Sequence, residues 1–159
     1  MNVDLLREVK RAILEEPKRL CMSIWLTHAS LLRNYPSASG HVAVAKHTPP
    51  ACGTVGCIAG WTTVIAQQKE HPDQLARNLV HSTLRKATVE DYAITALDLS
   101  HQSAVKLFFT TDWPLEFQEA LAETRPGTRA YARVVARRIE HFIKTDGNDL
   151  CQKPNETSD

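Results

Sequence analysis

The sequence predicts an all-α fold: a single compact domain of about seven helices with one long Pro-rich loop. Three observations predict it. Apolar residues recur at helical spacing through most of the 159-residue chain. Helix start and stop residues fall between those stretches, and strand-like alternation is confined to one short run. The hydrophobic fraction of 43% and charged fraction of 23% are ordinary for a globular protein. Aromatics make up only 6%, so the core should be built mainly from Leu, Val, Ile and Ala.

Residues 3–16 read as an amphipathic helix with Leu5, Leu6, Val9, Ile13 and Leu14 near one face, interrupted by Pro17. In 19–27, Leu20, Met22, Ile24 and Leu26 alternate like a strand. A lone strand would lack a partner, so the stretch is read as helix or irregular buried chain. Residues 34–51 form a loop carrying Tyr-Pro, Ser-Ala-Ser-Gly and Thr-Pro-Pro. A helix is expected from Thr54, as N-cap, to about Lys69, and another over 73–85. Thr88-Val-Glu-Asp91 opens a short helix through Leu97, and Ser100 caps the next. Trp113-Pro114 starts another, with Pro at the first helical position, where no amide donor is needed. The last helix spans 128–145 and is stopped by Asp146-Gly147. Residues 1–147 are thus assigned to one helical domain and 148–159 to a polar, disordered tail.

The net charge is +1, which gives no global drive toward nucleic acid or acidic membranes. No stretch approaches the roughly 20 apolar residues that cross a bilayer, and 1–16 lacks the apolar run of a signal peptide. A cytoplasmic setting with no membrane partner follows as the expectation. The four cysteines (Cys21, Cys52, Cys57 and Cys151) are then expected as thiols.

The concentrated chemical signal is Cys52-Gly-Thr-Val-Gly-Cys57-Ile-Ala-Gly-Trp61. Read as a helix start, it places Gly56 and Gly60 one turn apart, each costing about 1 kcal/mol relative to Ala. Such a cost implies close approach of another element, so Cys52, Gly53, Thr54, Gly56, Cys57, Gly60 and Trp61 are taken as a packing or binding face. Three sharper readings compete. Cys57 in a first helical turn would have its thiol pKa lowered and become a candidate nucleophile, with His28, His41 or His47 as base. Cys52, Cys57 and His47 could ligate zinc with help from His41 or Cys21, although the Cys–Cys spacing is longer than a short knuckle. A Cys52–Cys57 disulfide could serve as a redox switch.

The segment Cys-Gly-Thr-x-x-Cys-Ile-x-Gly-Trp, followed by Leu97 to Ser100, Leu107-Phe108 and Trp113-Pro114, resembles a group of small uncharacterised bacterial and bacteriophage proteins. Met22 and Trp25 belong to the same pattern. The resemblance implies a bacterial or phage cytosolic setting and a part in phage–host conflict or regulation. It carries no catalytic role.

Arg129, Arg133 and Arg137 recur one helical turn apart on the last helix, joined by Arg138. They make a stripe for phosphate or an acidic partner, against the plainer reading of a solvated face. The junction 97–108 has a helix–turn–helix flavour but offers only Lys106 as a base. His71, His81, His101 and His141 are scattered. No glycine-rich phosphate loop or Gly-x-Ser-x-Gly elbow occurs. The expectation is a non-enzymatic, cofactor-free protein that binds another protein. The alternatives are a cysteine-dependent enzyme or metal protein, and a nucleic-acid binder using the arginine stripe.

Overall fold

The computed structural model describes residues 1–24, 26–28, 54–70 and 86–148. The fold is all-α in class, with six α-helices among the described residues: α1 (Val3–Glu15), α2 (Ile58–Glu70), α3 (Lys86–Leu97), α4 (His101–Phe108), α5 (Leu115–Ala122) and α6 (Arg129–Lys144). Short 3₁₀ turns cover Pro17–Arg19 and Thr110–Asp112. The loop expected over 34–51 and the helix expected over 73–85 lie outside the described residues.

Among the described helices, the first and the last in sequence pack against each other. Helix α1 is started by Asn2, whose Oδ1 accepts from the Leu5 amide at 3.1 Å. It buries Leu5, Leu6, Val9 and Ile13 against α6. Leu14 falls off this face and is 41% exposed, which corrects its placement in the apolar stripe. Helix α6 is started by Thr128, whose Oγ1 accepts from the Tyr131 amide at 3.2 Å. It buries Tyr131, Val134, Val135, Ile139 and Phe142. It stops where Asp146 and Gly147 take left-handed φ of 50° and 71°. A side chain at Gly147 would also meet Phe142 Cζ at 3.0 Å. The two helices run antiparallel: Lys10 pairs with Glu140, and the Gly127 amide donates to the Leu20 carbonyl at 3.3 Å.

Helices α2 and α3 complete the core with Ile58, Ala59, Trp61 and Val64, and with Val89, Ala93 and Leu97 one turn apart. Ser100 caps α4 as expected, its Oγ accepting from the Ser103 amide at 3.1 Å. Pro114 is the N-cap of α5, one place before the first helical position expected for it.

The chain from Leu20 onward departs from the expected helix or irregular segment. It turns through Cys21–Ile24, then forms strand β1 (Leu26–His28), which pairs antiparallel with β2 (Thr54–Gly56). The alternation of Leu20, Met22, Ile24 and Leu26 therefore ends in a genuine strand, whose partner comes from much later in the sequence. Thr54 lies in that partner strand, so it is not the cap of α2, and the helix begins at Ile58.

Candidate functional site

The Gly56–Trp61 segment is assembled by three strands of chain meeting at one glycine. Gly56 stands opposite Leu26 in the ribbon and also bridges Leu20 in parallel sense, the Cys21 amide donating to the Gly56 carbonyl at 3.1 Å. Two backbones therefore flank one residue, as on a central strand. Gly56 is not on the helix, so it and Gly60 do not form the expected one-turn pair. Only Gly60 lies in the first turn of α2, where it is buried with Ala59, Thr62 and Thr63. The buried hydroxyls are satisfied within the fold. Thr62 Oγ1 donates to the Ile58 carbonyl at 2.9 Å, and Thr63 Oγ1 donates to the Ala59 carbonyl at 3.0 Å.

Cys57 caps α2 by position. Its amide donates to the Ile24 carbonyl at 2.7 Å and its carbonyl accepts from the Trp61 amide at 2.9 Å. Its side chain is 2% exposed. Burial pushes the thiol up to about 11, against the lowering effect of the nearby helix-start amides of Gly60 and Ala59. This corrects the expectation of an activated thiol in the first turn: the helix start is present, but desolvation of the thiolate outweighs it. Cys21, also buried, has its Sγ 3.2 Å from Ser23 Oγ and is likewise raised by burial. Both are thiols in the structure. The Tyr131 hydroxyl, which accepts from the Met22 amide at 3.2 Å, is pushed up to about 12, mainly by burial. This cluster is a closed, proton-holding corner of the core.

Trp61 ends the segment. The Arg19 guanidinium lies 4.4 Å over its ring, and its Nη1 donates to Glu16 Oε2 at 3.1 Å. The Trp61 indole N–H is buried and has no hydrogen-bond acceptor among the described residues.

Cys52, Gly53, His41 and His47 lie outside the described residues, as does Trp25. Of Thr54 and His28 only the strand positions are described. Among the described residues no group of three His, Cys, Asp or Glu could hold a metal ion. The zinc set and the Cys52–Cys57 disulfide thus involve residues that the structure does not describe.

The arginines of α6 separate into two kinds. Arg129, Arg133 and Arg137 are exposed, in one row on the outer face. Arg138, read from the sequence as a fourth member, is fully buried. Its Nη2 donates to the Lys106 carbonyl at 2.8 Å and its Nη1 lies 3.4 Å from His141 Nδ1. Its guanidinium sits within 5.4–6.0 Å of the Trp113, Phe117 and Phe142 ring centres. A signal for this was present: position 138 falls in the 131, 134, 135, 138, 139, 142 rhythm of the buried face.

At its first turn the row runs into a cleft of about 420 Å³, lined by Glu15, Glu16, Pro17, Lys18, Arg19, Gly127 and Arg129. Its two walls, residues 15–19 and 127–129, are far apart in the chain, so no local pattern announces the cleft. No helix among the described residues is long and apolar enough to cross a membrane. The described fold and its surface define a mainly helical protein with a closed thiol corner and an open cationic helix face. Compared with known proteins, the chain matches no family model, no curated sequence and no solved structure.

Proposed function

We propose that the protein is a non-enzymatic binding protein that docks on an acidic surface of another protein through Arg129, Arg133 and Arg137. The observation that carries this reading is the row itself. Three arginines stand exposed along about 12 Å of one helix face, the Arg137 guanidinium lying 5.7 Å from the Phe117 ring centre. The opposite face of that helix is locked into the core by Tyr131, Val135, Arg138 and Phe142. Guanidinium groups on a rigid support suit bidentate recognition of carboxylates, and arginine is enriched at protein interfaces. The setting we propose is the bacterial cytoplasm, for a protein of bacterial or phage origin, supported by the resemblance of the cysteine segment.

A nucleic-acid partner is less well supported, since a row of three arginines contributes a small phosphate-neutralising term and the net charge is +1. Thiol chemistry at Cys57 is also less well supported, because the sulfur is closed off and its proton is held tightly.

The test compares the wild-type chain with the R129E/R133E/R137E variant as baits in native cells, after circular dichroism shows equal folding. The wild type should retain a defined protein that the variant loses, and nuclease treatment should leave that complex intact. Recovery of the same proteins by both baits, or a complex dissolved by nuclease, would overturn the reading.

A further inference from the structure

We infer that the cleft between the Pro17–Arg19 turn and the start of α6 is an oxyanion site, suited to a phosphate dianion. It does not rest on the protein-docking reading: Lys18 and Arg19 are not part of the row, and Arg133 and Arg137 do not line the cleft. The case begins with which charges are already engaged. Two carboxylates line the cleft, and each is engaged by an arginine: Glu16 by Arg19 at 3.1 Å and Glu15 by Arg11 at 3.8 Å. No ion pair among the described residues engages Lys18 or Arg129. Among the described residues, the cleft therefore presents Lys18 and Arg129 with no ion-pair partner.

Arg19 supplies a fixed third group. It is only 7% exposed, stacked on Trp61 at 4.4 Å and tethered by Glu16, so its orientation is set before any ligand arrives. Gly127, at a left-handed φ of 79°, donates to the Leu20 carbonyl and brings the start of the 16-residue α6 against this turn. Thr128 takes the amides of Tyr131 and Ala132 through its Oγ1 and carbonyl. The amides of Arg129 and Ala130 are left without an intrahelical acceptor, as at any helix start. A tetrahedral oxyanion seated there would meet cationic side chains and the positive end of a helix together. The volume admits a phosphate with a small organic substituent.

The test is a titration of the ¹⁵N-labelled full chain with inorganic phosphate, O-phosphoserine and acetate at constant ionic strength. Phosphate and O-phosphoserine should move the amides of Lys18, Arg19, Arg129 and Ala130 saturably, with Kd of about 1 mM or below. K18A or R129A should weaken the binding at least about fivefold, and R7A, on the exposed face of α1, should leave it unchanged. Tighter binding of O-phosphoserine supports the site as one for a monoester, and tighter binding of inorganic phosphate supports it as one for the free ion. Acetate binding as tight as phosphate, the absence of saturation, or shifts equally large at Arg133 and Arg137 would overturn the proposal.

Discussion

Cys57 and Thr128 both stand at the start of a helix, yet the two starts have opposite surroundings. At α2 the capping residue is enclosed by the Cys21–Ile24 turn, its amide is used by Ile24, and its thiol is pushed up to about 11. At α6 the cap is exposed, the next residue is an exposed arginine, and a cleft opens beside it. The backbone dipole has the same sense in both helices. What differs is access to water, and access decides whether a helix start can stabilise an anion. In α2 the cost of desolvating a charge exceeds what the oriented amides return. In α6 that cost is small, so the same amides stay useful to a ligand.

The sharpest way to break this comparison is to place a carboxylate at both caps. Asp is by type a better N-cap than Cys. Even so, C57D should destabilise the protein by about 3 kcal/mol or more, because its charge would be buried. T128D should change stability by less than about 0.5 kcal/mol. Urea unfolding of the two variants measures both, and a stabilised C57D would show that the corner is open to water.

The next effect contrasts the two faces of α6. R138A removes a buried group that holds the Lys106 carbonyl and fills the space among Trp113, Phe117 and Phe142, and it should cost about 3 kcal/mol. R137A, one residue earlier but exposed, should cost less than about 0.5 kcal/mol. Equal losses in thermal or urea unfolding would contradict the placement of Arg138.

A smaller effect follows from pH. The folded-state values of Cys57 and Tyr131 are raised, to about 11 and about 12. The unfolded chain thus releases these protons first as pH rises, and unfolding becomes easier. Their contribution is complete below pH of about 8.5, the ordinary thiol value, and is lost as pH climbs through the folded values. Between pH 8 and about 10.5, wild-type stability should fall, with about 2 kcal/mol of the loss due to Cys57. C57A should show a shallower alkaline slope in urea titrations at several pH values. An identical slope would remove Cys57 as the cause.

The smallest effect tests the open start alone. T128A withdraws the oxygen that accepts from the Tyr131 amide and should cost about 1 kcal/mol. A loss near zero would mean that water replaces the cap fully.

Helices α1 and α6 were readable in the sequence because each has a regular apolar rhythm and a breaker after it, Pro17 for the one and Asp146-Gly147 for the other. The ribbon was not readable. Leu20 to Leu26 alternates as a strand should, but its partner is Thr54–Gly56, whose threonine imitates a helix cap. Strand pairing depends on residues far apart in the chain, and nothing local announces it. The true cap, Cys57, is a residue type seldom read as one. Arg138 was misplaced for another reason: its charge grouped it with Arg137, although its register belonged to the buried face. The cleft was out of reach because Lys18 and Arg129 become neighbours only when α1 and α6 pack.

That packing also sets an order of events during synthesis. The apolar face of α1 leaves the ribosome early, but the helix against which it closes is complete only once Lys144 has been added. At ordinary elongation rates the interval is about ten seconds. Through that time Val9 and Ile13 lack their native cover from α6, so this side of the core cannot close before residues 129–144 have been made.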